Sequence, residues 1–88
     1  MEIKRNAVAG TMESSDVYVE IEPGEGIDIQ LESVVKAQFG DSIVQVVQEV
    51  LKDCGVEDAT VRLVDRGALE CVIRARVETA AMRGKGEA

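Results

Sequence analysis

Ser14 stands in Glu13-Ser14-Ser15-Asp16, four consecutive polar residues whose side chains can hydrogen-bond locally and so favour a turn. A hydroxyl in a turn is open to a modifying enzyme, whereas one inside a packed strand is not. On residue chemistry alone Ser14 is first a polar turn residue. The chemical alternative is a covalent modification, phosphorylation or another group, with Oγ as the ester-forming atom. The chain has no histidine to activate that hydroxyl, no Walker phosphate loop and no dinucleotide fingerprint. Gly24 and Gly26 fall between two expected strands, outside the strand-to-helix setting that a phosphate cradle requires. Glu20 and Glu22 share one solvated strand face and read as surface charge, not as a catalytic pair. No catalytic residue and no metal ligand is assigned.

Cys54 and Cys71 match no metal-ligand spacing, and each lies in a largely apolar segment. They are expected as two buried thiols, with a disulfide or a redox role as the alternatives. The formal net charge of -7, from seventeen acidic and ten basic residues, opposes binding to a nucleic-acid backbone, and Lys and Arg form no continuous tract. An acidic surface either resists self-association or steers the molecule towards basic partner surfaces. The start, Met1-Glu2-Ile3-Lys4, lacks the apolar stretch of a secretory signal. No apolar run approaches the roughly 20 residues that span a bilayer, so no membrane role and a cytoplasmic location are expected.

These residues have to be positioned by elements. At 88 residues the chain is expected to be a single domain over 1–88, with one modest core built from Val, Ile, Leu and Ala, since Tyr18 and Phe39 are its only aromatic residues. Ala7 to Met12 reads as a short first strand. Val17, Val19 and Ile21 alternate with polar positions, as do Ile27, Ile29 and Leu31, which predicts two half-buried strands. Pro23-Gly24-Glu25-Gly26 between them predicts an antiparallel hairpin. Ser33 to Gly40 fits a helical side or a continuation of the strand. Gly40 then separates that segment from a helix with Asp41 as N-cap, whose stripe is Ile43, Val46, Val47, Val50 and Leu51. Gly55 is the expected stop. Thr60 to Val64 predicts a strand, with Val61 and Leu63 inward, and Asp65-Arg66-Gly67 a turn. Residues 68–82 fit both periods. Helix is preferred because Leu69, Ile73, Val77, Ala80 and Ala81 continue its stripe. Residues 84–88 are expected as a flexible tail. The fold class is therefore α+β: a compact β-β-β-α-β-α sandwich, with a mostly antiparallel sheet covered on one face by helices.

The run Ala7-Val8-Ala9-Gly10-Thr11-Met12-Glu13-Ser14-Ser15-Asp16 resembles the attachment segment of the acyl-carrier (gamma) subunit of citrate lyase. The resemblance continues through Gln38-Phe39-Gly40-Asp41 and through Asp65-Arg66-Gly67-Ala68-Leu69-Glu70-Cys71-Val72-Ile73-Arg74-Ala75-Arg76. Met12 and Ser15 depart from the Leu and Gly often found beside the family's serine, and neither change removes the modifiable oxygen. The resemblance implies that Ser14 anchors 2'-(5''-phosphoribosyl)-3'-dephospho-coenzyme A through a phosphodiester. It further implies acetyl and citryl thioesters on that phosphopantetheine-containing arm during cleavage of citrate to acetate and oxaloacetate. The implied partners are the transferase and lyase subunits of citrate lyase and a prosthetic-group attachment enzyme, the chain itself being noncatalytic. Glu13 and Asp16 would repel a new phosphodiester unless cationic groups or solvent offset them. Arg74 and Arg76 could contact the arm's phosphate, although solvated arginine is their ordinary reading and two-residue spacing separates them around a helix. The alternatives are the carrier subunit of malonate decarboxylase, which uses the same kind of arm, and a structural adaptor with an unmodified serine.

Overall fold

The computed structural model describes residues 2–86. Strand β1 (Ala7–Ala9) leads to β2 (Val17–Glu22), β3 (Ile27–Ser33), helix α1 (Lys36–Asp53), β4 (Ala59–Asp65) and helix α2 (Glu70–Gly84). This is the expected β-β-β-α-β-α order, and the ambiguous last segment is the helix that its stripe favours. The sheet order is β1-β2-β4-β3. β1 pairs with β2 and β2 with β4 antiparallel, while β3 runs parallel to β4.

The expected hairpin between β2 and β3 does not form, because β4 lies between them. Parallel strands need a crossover connection, and α1 supplies it between β3 and β4. β4 fits the central place because its alternation is complete: Ala59, Val61, Leu63 and Asp65 are all buried, while β3 is exposed at Ile27 and half-buried at Ile29, Leu31 and Ser33. The Pro23–Gly26 segment crosses the end of β4 instead of folding back on itself. The Gly26 amide donates to Asp58 Oδ1 at 2.7 Å, the Ala59 amide donates to the Gly26 carbonyl at 2.8 Å, and a Cβ on Gly24 would stand 2.8 Å from Thr60 Oγ1.

Both helices lie over one face of the sheet. Ile43, Val46, Val47, Val50 and Leu51 of α1 and Ile73, Val77, Ala80 and Ala81 of α2 meet Val17, Val19, Ile21, Val61 and Leu63 in one core. The stripe predicted for α1 is the buried one, but the helix begins at Lys36, ahead of the expected Asp41 cap. Ser33 explains the early start: its hydroxyl accepts the Val35 amide at 3.1 Å, and the Gln38 and Phe39 amides then both donate to the Val35 carbonyl. Gly40 is consequently an interior helical residue. Gly55, at φ +73°, ends the helix as expected.

Two other expectations change. Cys54 is half-buried and Cys71 exposed, with no disulfide between them; the helix turns Cys71 away from the face that buries Ile73. Gly84, expected to begin the tail, is the buried last residue of α2. Its carbonyl accepts the Lys4 and Arg5 amides at 2.9 and 3.2 Å, and Lys85 Nζ donates to the Cys54 carbonyl at 2.8 Å. Positions 87 and 88 of that tail lie outside the described residues.

Candidate functional site

Three connections meet at one end of the sheet: β1–β2, which carries Ser14, β3–α1 and β4–α2. The β1–β2 connection leaves β1 through Gly10, at φ +87°, where any Cβ would run into the carbonyl of Val17. Only glycine lets the chain cross so close to the start of β2. The turn over residues 13–16 is closed by the Asp16 amide donating to the Glu13 carbonyl at 3.1 Å. It is tied to β4–α2 by the Ser15 amide on the Arg66 carbonyl, 2.8 Å, and by the Arg66 amide on the Asp16 carbonyl, 2.9 Å. Ser14 sits at the exposed tip, flanked by exposed Met12, Glu13 and Ser15. Ser15 holds φ +65°, a left-handed conformation that costs a non-glycine residue about 1 kcal/mol.

Asp16 is the organising acid of this turn. Its carboxylate accepts from Thr11 Oγ1 at 2.7 Å, from the Val17 amide at 2.7 Å, and from Arg76 Nε and Nη2 at 3.1 and 2.9 Å. The Arg76 guanidinium, followed by the Thr11 hydroxyl and the Val17 amide, lowers the Asp16 carboxyl from 3.8 to about 2. Arg76 therefore does not stand as an ordinary solvated arginine. Arg74 leaves the helix on a different azimuth, as its spacing predicts, to Glu49 of α1 at 2.7 Å and to Glu70 at 3.2 Å. Those contacts hold Glu49 below the usual carboxylate range and raise Arg74.

Asp65, 1% exposed, braces the same end from beneath. Its Oδ2 accepts from Ser33 Oγ at 2.7 Å, its Oδ1 from the Ala68 amide at 2.9 Å, and its carbonyl from the Val34 amide at 3.3 Å. One buried carboxylate thereby joins the β3–α1 and β4–α2 connections, and its hydrogen bonds offset the cost of burying it. Sequence reasoning missed this role and the pairing of Asp16 with Arg76. For Asp65 a signal was present, since it continues the inward set Val61, Leu63 by two residues.

Other charged residues lie away from this end. Glu20 and Glu22 both face Arg62, at 3.8 and 3.3 Å, on the open side of the sheet. The Arg5 guanidinium donates to the Arg83 carbonyl near the end of α2. Among the described residues no group of three or more His, Cys, Asp or Glu side chains is placed to hold a metal ion, and no helix is long and apolar enough to cross a membrane.

The Ser14 turn fits a covalently attached arm. The hydroxyl is exposed at the tip of a turn whose backbone is tied at both ends, and the supporting contacts are made by Thr11, Asp16 and the amides, not by Ser14. A substituent on Oγ therefore displaces no packing.

Residues 4–84 match the family model described as malonate decarboxylase delta subunit (MdcD). The citrate lyase acyl carrier protein of Klebsiella pneumoniae is 55% identical over 85 residues, covering 94% of this chain and 88% of the relative. Those of Escherichia fergusonii and Oenococcus oeni are 56% and 54% identical, again over 94% of this chain and over 88% and 87% of their own lengths. Among solved structures, a chain of a Pseudomonas malonate decarboxylase hetero-tetramer in complex with malonate superposes with a TM-score of 0.77 and 27% identity, over 92% of this chain and 84% of that one.

Proposed function

Because this chain belongs to the citrate lyase acyl carrier protein family, related to the malonate decarboxylase delta subunit, we propose that it carries acyl groups in citrate cleavage on an arm anchored at Ser14. The observation that carries this reading is the exposed Ser14 hydroxyl on a turn held by Gly10, Asp16 and the Arg66 backbone. The arm is of the phosphopantetheine type, and we assign it as 2'-(5''-phosphoribosyl)-3'-dephospho-coenzyme A, joined by a phosphodiester. When attached, it supplies a terminal thiol on which acyl groups are held as thioesters.

The chain's own residues anchor and present; they do not break the carbon–carbon bond. Ser14 Oγ gives the ester oxygen. Gly10 sets the crossing that projects the turn, while Asp16 holds its base to α2. Tethering raises the effective concentration of an acyl group at each partner site without any further contact. We assign the chain to a multi-subunit complex of the citrate lyase kind, with transferase and lyase subunits as its catalytic partners and an attachment enzyme as the source of the arm. Citrate is preferred to malonate as the source of the acyl group because relatives at 54–56% identity are citrate lyase carriers, against 27% for the malonate decarboxylase chain.

Replacement of Ser14 by alanine tests the reading. The exposed hydroxyl contributes little packing, so Ser14→Ala is expected to keep the wild-type unfolding midpoint. In reconstitution with the arm-loaded system it is expected to abolish citrate cleavage. Full turnover by the unmodified variant would reject the assignment, and turnover of malonate in place of citrate would move it to the related complex.

A further inference from the structure

We propose that Arg76, through its forked contact with Asp16, is a positioning residue that fixes the geometry in which the Ser14 hydroxyl meets its modifying enzyme; this rests on Ser14 being the anchor. Within itself the turn is held by the Asp16 amide on the Glu13 carbonyl and the Glu13 amide on the Thr11 hydroxyl. Glu13, Ser14 and Ser15 are exposed, and Ser15 sits in a strained left-handed conformation. Among the described residues, backbone-to-backbone hydrogen bonds tie the turn to the rest of the fold at Arg66, itself in a connection. Arg76 instead reaches it from the middle of a packed helix, one residue before the fully buried Val77.

Its reach covers both ends of the connection. The Cδ of Arg76 lies so close over Gly10 that a Cβ there would stand 3.3 Å from it, and the guanidinium closes on Asp16 with two bonds of 3.1 and 2.9 Å. Two parallel bonds fix the orientation of the carboxylate as well as its distance, which a lysine ammonium cannot do. The same carboxylate takes the Thr11 hydroxyl at 2.7 Å, so residues 10, 11 and 16 are gathered about one side chain of α2. The pairing also offsets the charge of Asp16, two positions from the oxygen that receives a phosphate. This answers in part the repulsion expected between a phosphodiester and the acids beside Ser14.

During attachment the Ser14 Oγ–H proton passes to a base of the modifying enzyme and an Oγ–P bond forms. The P–O bond to the leaving group of a donor with an activated phosphate breaks. Arg76 touches none of these atoms and acts through Asp16 and the turn.

The test compares unloaded wild-type carrier with Arg76→Gln, Arg76→Lys, Asp16→Asn, the Arg76→Gln/Asp16→Asn pair and Ser14→Ala. Each is incubated with the native attachment enzyme and its donor, and initial rates are read by intact mass over a range of carrier concentrations. Amide hydrogen exchange over residues 11–16 is measured on the unloaded proteins. Misplacing one reacting oxygen is expected to lower kcat about tenfold in Arg76→Gln, with KM within about twofold because the rest of the carrier surface is intact. Arg76→Lys recovers part of the loss, the double variant is no worse than the worse single one, and the Ser15 and Asp16 amides exchange at least about fivefold faster in Arg76→Gln. Should Arg76→Gln fail to fold, Asp16→Asn carries the same expectations. A folded variant with wild-type kcat and unchanged exchange would overturn the positioning role, as would additive losses in the double variant. A mass gain on Ser14→Ala would instead reject the anchor on which the proposal rests.

Discussion

At Ser15 the backbone takes a conformation that glycine adopts freely and serine adopts at a cost of about 1 kcal/mol. The glycine often found in the family beside its attachment serine has a physical reason in this φ of +65°. Ser15→Gly is therefore expected to raise stability by up to about 1 kcal/mol, less the entropy that glycine adds to the unfolded chain, read as a higher denaturant midpoint. A lower midpoint would show that the serine is not strained. Asp16 makes a separate prediction. Its carboxyl is lowered from 3.8 to about 2, so its stabilising effect is complete above pH 3.8 and is lost as pH falls through about 2. With Asp16 14% exposed and Arg76 41% exposed, the advantage of wild type over Asp16→Asn is expected on the order of 1–2 kcal/mol at neutral pH. Most of that advantage should disappear between pH 3.8 and about 2 and the rest below it, and an unfolding gap that stays constant from pH 6 to about 2 would contradict the ion pair. The turn at Ser14 was legible at this scale because four polar residues in a row announce one, whereas the attachment role came from the family resemblance alone. The bracing of the turn was not legible, since Asp16 and Arg76 lie 60 positions apart and local pattern says nothing about distant partners.

Among the elements, period-two alternation located β2, β3 and β4, and three-and-four spacing located the buried face of α1. What alternation could not show was order across the sheet. The Pro23–Gly26 turn signals a reversal, but hydrophobic pattern does not say whether the next strand pairs with its predecessor or makes room for a later one. The pointer to the true order lay in Gly24, whose backbone packs against Thr60, and in Asp58, which receives the Gly26 amide. The start of α1 was misread for a similar reason. Gly40 looks like a helix breaker until Ser33 and Asp65, from two separate strands, anchor the turn before it. Gly40 makes no positive-φ turn, and a Cβ there would meet chiefly Lys36 Cγ at 3.2 Å, on an exposed side chain that can move aside. Gly40→Ala is thus expected to stabilise by about 0.5–1 kcal/mol through helix propensity, visible as a higher melting temperature. Destabilisation would mean that the close approach of Lys36 cannot be relieved.

For the molecule as a whole, one layer of helices on one sheet leaves a single core with Val47 at its centre, fully buried. Val47→Asp puts a charge there with no partner, at a cost of about 3–5 kcal/mol, a large part of the total for a domain of this size. Loss of the cooperative unfolding transition at room temperature, or a midpoint far below wild type, is expected; an unchanged midpoint would contradict the core. Both helices' neighbours are drawn into the same structure, with Lys4 and Arg5 on the Gly84 carbonyl and Lys85 on the Cys54 carbonyl just past α1. A run of glycine and charge at the end of a sequence reads as loose chain, and only the tertiary fold shows that Gly84 lacks a side chain because Ile3 and Ile21 press against it. The result is a packed support with the Ser14 turn at one end of the sheet, where we propose that the arm is anchored. Intact mass spectrometry of the protein produced in a host with a functional attachment enzyme, followed by peptide mapping, tests that proposal most directly. The expected result is one added mass equal to the phosphoribosyl-dephospho-coenzyme A arm, on the peptide holding Ser14. An unmodified Ser14, or the same mass on Thr11 or Ser15, would contradict it.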